Sequence, residues 1–116
     1  SKLEIYYNGE RGLTEFVINC FQKKNGFWKR LGDYTPDFLI LQREKKKPHK
    51  ILIVETKGEG FVLNFAGRKQ FMESDFLRIN KDKFGYERFD FLFLQDGDTS
   101  EFNLTKLSEK ITGFFD

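Results

Sequence analysis

The sequence predicts a mixed α/β (α+β) domain: a central mixed sheet with helices on both of its faces. Three observations lead there. The runs 38–41 and 51–54, FLIL and ILIV, are apolar at every position, whereas a strand with one wet face alternates apolar and polar residues. Segments with apolar residues at spacings of three and four lie before, between and after the strand-like runs, which is the pattern of helices burying one side. The chain has 116 residues, 15 of them Phe, enough bulk for one domain with one sizeable core.

Taken in order, residues 2–7 read as a short strand or an entry arm, and Asn8-Gly9 as a turn. A helix is expected from about Glu10 or Leu13 to Lys24, with Leu13, Phe16, Val17, Cys20 and Phe21 on one face. Lys23 and Lys24 suit its C-terminal end, and Asn25-Gly26 stops it. Residues 27–31 then form a first strand, ended by Gly32. The runs 38–41 and 51–54 follow, separated by hydrophilic residues 42–50; so short and charged a connector makes an antiparallel hairpin the simplest arrangement.

Gly58-Glu59-Gly60 breaks the chain before a second helix over 64–80, with Phe65, Met72, Phe76 and Ile79 as a narrow apolar stripe. Residues 81–88 read as a charged loop, 89–95 as the last strand and 96–98 as a turn. Asn103 or Thr105 caps a final helix that turns Leu104, Leu107, Ile111 and Phe114 inward. The predicted order is α, β, β, β, α, β, α, in a single domain over 1–116. The abrupt start at Ser1 points to a piece of a longer protein.

Lys and Arg number 20 against 18 Asp and Glu. That balance excludes the disorder signature of high net charge and leaves any polyanion partner to be argued from the distribution of charge rather than its total. Cys20 is the only cysteine, which excludes an internal disulfide and a cysteine metal cluster and fits a reducing, cytoplasmic setting. His49 is the only histidine, which argues against a histidine-based zinc site or Ser–His catalysis. No run is long enough for a membrane span and no signal-peptide pattern opens the chain.

The hairpin carries acid where plain buried strands would not. Centred on Lys46, it sets Asp37 across from Glu55, with Lys57 two residues further on the same face. Facing carboxylates repel, and a hard divalent cation such as Mg²⁺, which takes carboxylate, water and phosphate oxygens, removes that repulsion. Arg68, Lys69 and the run Lys45, Lys46 and Lys47 are candidates for holding phosphates. Residues 43–50 fit a solvated hairpin tip better than a DNA clamp.

Pro36-Asp37, followed by Glu55-Thr56-Lys57 at the end of an apolar strand, resembles the PD-(D/E)XK nuclease superfamily, whose common αβββαβ restriction-endonuclease-like core is similar to the predicted order. Tyr34-Thr35-Pro36-Asp37-Phe38 with Val54-Glu55-Thr56-Lys57-Gly58 looks most like the C-terminal nuclease domain of type III restriction endonuclease subunits. The resemblance implies Mg²⁺-dependent hydrolysis of double-stranded DNA, with Mn²⁺ able to substitute. It implies metal ligands at Asp37, Glu55 and the Thr56 carbonyl, and a catalytic role for Lys57. It also implies a helix-borne glutamate, for which Glu15 is the first choice and Glu10 the second. A helicase-type translocase in the same parent chain and a methyltransferase subunit are the implied partners. Gln70 matches the first residue of a glutamine-to-tyrosine motif found in some members and would join the DNA-contacting set, but Ser74 stands where the tyrosine belongs. The alternatives are a Holliday-junction or repair nuclease with the same site, and a catalytically silent nucleic-acid or protein-interaction module on the same fold.

Overall fold

A computed structural model of the chain describes residues 3–7, 18–57, 62–95 and 100–115. The strands are β1 (Leu3–Tyr7), β2 (Ile18–Lys24), β3 (Phe27–Tyr34), β4 (Phe38–Glu44), β5 (Lys47–Lys57) and β6 (Phe89–Gln95), and the helices α1 (Val62–Glu73), α2 (Asp75–Phe84) and α3 (Ser100–Phe115). Four strands form a mixed sheet in the order β1-β4-β5-β6, and β2 and β3 form a separate two-stranded sheet. β4 is antiparallel to both β1 and β5, whereas β6 runs parallel to β5. A parallel neighbour requires a long crossover, and α1 with α2 supplies it.

Both faces of the main sheet are covered, as the doubly apolar strands require. Leu39, Leu41, Ile51, Ile53 and Phe91 face Phe71, Met72 and Phe76 of α1 and α2, together with Ile18, Cys20 and Tyr34 of the smaller sheet. One residue along each strand the pleat reverses. Ile40, Leu52, Val54, Leu92 and Leu94 therefore pack on Phe114 and Phe115 of α3, with Leu107 and Ile111 at the margin. The end of α3 is pinned to the sheet by Lys50 Nζ and Gln42 Nε2, which donate to the carbonyls of Phe114 (2.7 Å) and Phe115 (3.2 Å). These carbonyls have no partner within the helix, and a cation suits the negative end of its dipole.

The N-terminal part departs from the predicted order. Residues 18–24 of the expected first helix are strand β2, and residues 8–17 lie outside the described part. Ile18 and Cys20 are buried around an exposed Asn19, a period of two that the overlapping three-and-four spacing conceals. A β-bulge between Cys20 and Phe21 then shifts the register. Asn25 (φ 50°) and Gly26 (φ 83°) do not end a helix; they form the two-residue turn, positive in φ at both positions, that matches the twist of a tight hairpin. The predicted first strand, β3, accordingly pairs with β2 and not within the main sheet, where β1 takes the place beside β4.

The helical region after β5 is longer than predicted and interrupted. Ser74 separates α1 from α2, its hydroxyl donating to the Gln70 carbonyl at 2.6 Å. α2 runs into the predicted loop as far as Gly85, whose φ of 80° suits a helix stop. Met72 and Phe76 of the predicted stripe are buried, but across the break Phe71 joins them and Ile79 is 42% exposed; the Phe65 side chain lies outside the described part. α3 begins at Ser100, ahead of both expected caps. Asn103 Nδ2 donates instead to the Gln95 carbonyl (3.2 Å), and Leu104 faces solvent at 64% exposure. Among the described residues no helix is long and apolar enough to cross a membrane.

Candidate functional site

The β4–β5 hairpin builds the site. Lys45 and Lys46 form its turn, with φ of 51° and 68°, and beyond a bulge at Gln42/Arg43 the register runs from Gln42↔Lys50 to Phe38↔Val54. This is the register of a hairpin centred on Lys46, and its next step sets Asp37 against Glu55. Pro36, fully buried, fixes the backbone just before Asp37.

Each carboxylate is anchored on the other's strand. Glu55 is 0% exposed. Its Oε1 accepts from the Tyr34 hydroxyl at 2.8 Å and from the Asp37 backbone N–H at 3.2 Å. Asp37, half-buried, accepts at Oδ2 from the Thr56 N–H (3.0 Å) and the Thr56 hydroxyl (2.7 Å). Buried carboxylates are tolerated where donors satisfy them, and such bonds also fix carboxyl orientation, as outer partners do around metal ligands. With Glu55 enclosed and Asp37 and Thr56 only half-buried, solvent reaches the pair from the Asp37–Thr56 side.

Tyr34 links the smaller sheet to this pair, and nothing in the sequence pattern assigned it a role. Burial pushes its hydroxyl pKa far above the ordinary value of 10.0, with the charge of Glu55 and the hydrogen bond to it adding to the rise. The folded state therefore holds the tyrosine proton at pH values where the unfolded chain releases it. The stability this linkage contributes is complete below about pH 10, and it is lost as pH rises further, by roughly 1.4 kcal/mol per pH unit. Denaturant melts from about pH 10 upward should show this slope and Tyr34→Phe should lack it; an equal slope in both proteins would rule Tyr34 out as its source.

The remaining predicted residues are placed unevenly. Lys57 ends β5, paired with Gln95; its side chain lies outside the described part, as do Glu10 and Glu15 entirely. The helix expected to carry Glu15 is strand from Ile18 onward. Arg68 Nη2 donates to the Leu31 carbonyl at 3.2 Å and lies where a side chain on Gly32 (φ 124°) would sit, 2.7 Å from its Cβ position, so Arg68 clamps β3 to α1. Lys69 pairs with Glu73 at 2.9 Å and lies over the Phe93 ring. Gln70 is exposed, and its carbonyl receives the Ser74 backbone N–H and hydroxyl. Lys45, Lys46 and Lys47 are exposed at the opposite end of the hairpin, roughly 26 Å from Glu55 at about 3.3 Å per strand residue, so the structure does not gather them around the carboxylates. His49 stacks on Tyr86 with ring centres 4.8 Å apart.

Among the described residues no group of three or more His, Cys, Asp or Glu side chains is placed to hold a metal ion. Asp37 and Glu55 place two carboxylates, hard oxygen donors, side by side at the end of β4 and β5. That donor set fits Mg²⁺, which commonly takes one or two carboxylates and completes its shell with water and phosphate. A groove of about 1420 Å³ runs along β6 between α1–α2 and α3, with Lys69, Gln70, Asp90 and Lys106 on its walls; neither carboxylate of the pair is among its lining residues. No family model, curated protein or solved structure significantly matches this chain.

Proposed function

We propose that this chain is a metal-dependent DNA endonuclease domain of the PD-(D/E)XK type, serving a restriction system of the type III kind. The observation that carries the reading is the β4–β5 register, which brings Asp37 to Glu55 with Thr56 bonded to the Asp37 carboxylate. In this reading Asp37 and Glu55 hold a Mg²⁺ ion, with the Thr56 carbonyl as a further donor. A bound divalent cation supplies a water of lowered pKa and neutralises charge at the scissile phosphate. Tyr34 and the Asp37 N–H keep the Glu55 carboxylate oriented, and Thr56 does the same for Asp37. DNA approaches from the Asp37–Thr56 side, the side open to solvent. Lys57 cannot ligate a cation and is assigned to the attacking water or the phosphate.

The test is nicking of supercoiled plasmid with Mg²⁺ against the same reaction in EDTA. Lys57→Ala should lower the rate by about 100-fold or more, leaving Mn²⁺ affinity and melting temperature near those of the parent. Parental nicking by this variant would return Lys57 to the role of a strand-end charge. The complete burial of Glu55 under Tyr34 favours one competing reading, a silent interaction module in which Glu55 is structural; absence of Mg²⁺-dependent nicking would select it. A junction or repair nuclease shares every residue of the site, and branched DNA cut in preference to plasmid would identify it.

A further inference from the structure

Of the β2–β3 hairpin, the proposed cleavage site uses only Tyr34, at its root. Its root is held: Tyr34 bonds Glu55, Phe21 packs edge-on against Phe71 with ring centres 6.3 Å apart, and Arg68 caps the Leu31 carbonyl. Toward its far end, residues 25–30 are all exposed. Phe27 is 78% exposed and Trp28 48%, large apolar surface with no folding benefit at a hairpin tip. Neighbours along a strand point to opposite faces, so the two rings flank the ribbon.

Charge identifies what covers them. The β2–β3 hairpin contains Lys23, Lys24, Lys29 and Arg30 against a single acid, Asp33, in a chain where basic residues exceed acidic ones by only 20 to 18. Lys23 Nζ lies 5.9 Å from the centre of the Trp28 ring. Flat rings interleaved with cations suit a strand that offers bases and phosphates together. Base faces are hidden within a duplex stack and open in an unpaired strand.

We propose that the β2–β3 hairpin binds unpaired nucleic acid, Phe27 and Trp28 stacking on bases and the hairpin's cations facing the phosphates. Its tip lies roughly 23 Å along β3 from Tyr34, at about 3.3 Å per residue. Only the consequence, that cleavage falls near a single-stranded segment, rests on the nuclease proposal; the binding itself does not.

Trp28 is the only tryptophan and reports directly. The 116-residue chain is titrated in EDTA, where no cleavage occurs, with oligo-dT or oligo-U of about 20 nucleotides and with a duplex of equal length, at roughly 0.1 M salt. Either unpaired strand should quench Trp28 fluorescence at concentrations where the duplex does not. Anisotropy of the labelled strand should show Phe27→Ala/Trp28→Ala weakening binding by about tenfold or more, and Trp28→Phe keeping most of it. Circular dichroism melts confirm that these exposed-site variants fold. A strand that binds without quenching Trp28, a double variant that binds like the parent, or a duplex that binds and quenches equally would overturn the proposal. Because no metal is present, failure here is separate from failure of plasmid nicking.

Discussion

Asp37→Ala is expected to remove Mg²⁺-dependent nicking, with a loss well beyond the roughly 10- to 100-fold typical of residues that only support a metal ligand. The side chain supplies one of the two carboxylates at the hairpin end, and no described acid stands ready to replace it. Stability should fall far less. The bond from the Asp37 N–H to Glu55 is a backbone bond and survives; the Thr56 N–H and hydroxyl lose their acceptor, but at a half-buried position where water can substitute. The cost should be about 1–2 kcal/mol. Asp37→Asn separates charge from shape: it keeps an acceptor for Thr56 but should bind Mn²⁺ much more weakly. Parental Mn²⁺ affinity in Asp37→Asn, or parental nicking in Asp37→Ala, would count decisively against the metal site.

Glu55 should show both a folding and a catalytic effect, and two substitutions divide them. Glu55→Ala removes the acceptor of the buried Tyr34 hydroxyl and of the part-buried Asp37 N–H and leaves a cavity beside them. Each stranded donor costs about 1–3 kcal/mol, and the void adds to that. A loss of roughly 4 kcal/mol would lower the melting temperature by about 15 °C or more in a domain this size. Glu55→Gln retains the volume and one acceptor oxygen, so its melting temperature should stay within about 5 °C of the parent. It removes the charge, however, and should not nick plasmid. The pair therefore gives opposite stabilities and the same loss of activity. If Glu55→Gln cleaves as the parent does, Glu55 is a structural pin under Tyr34 and not a ligand.

What the sequence determined by itself is local. The β4–β5 hairpin was legible because a charged connector between two apolar runs leaves little freedom in pairing, and register follows from the turn. That register alone puts Asp37 opposite Glu55. β6 was legible from its alternating and then apolar run, and the coverage of both sheet faces from strands with no polar side. The last helix was legible in kind but not in boundary. Leu104 looked inward by spacing, yet α3 buries Phe114 and Phe115 against the sheet and leaves Leu104 in solvent.

The rest was decided by contacts far apart in the chain. Val17, Cys20 and Phe21 satisfy a helical spacing, while Ile18 and Cys20 satisfy the period of a strand, so periodicity alone does not choose between them. Asn25-Gly26 ends helices and also forms hairpin turns; followed directly by an extended aromatic run, it was the one signal that pointed to β2–β3. β1 joins the main sheet beside β4, across thirty intervening residues, a pairing no local pattern encodes. The placement of Tyr34 on Glu55 has the same origin, since the two belong to different sheets that meet only when the smaller one packs on the larger. Local chemistry states which residues must leave water or find a hydrogen-bond partner. Which surface receives them is settled by whatever the distant parts of the chain bring alongside, and here that choice made Glu55 a fully enclosed carboxylate.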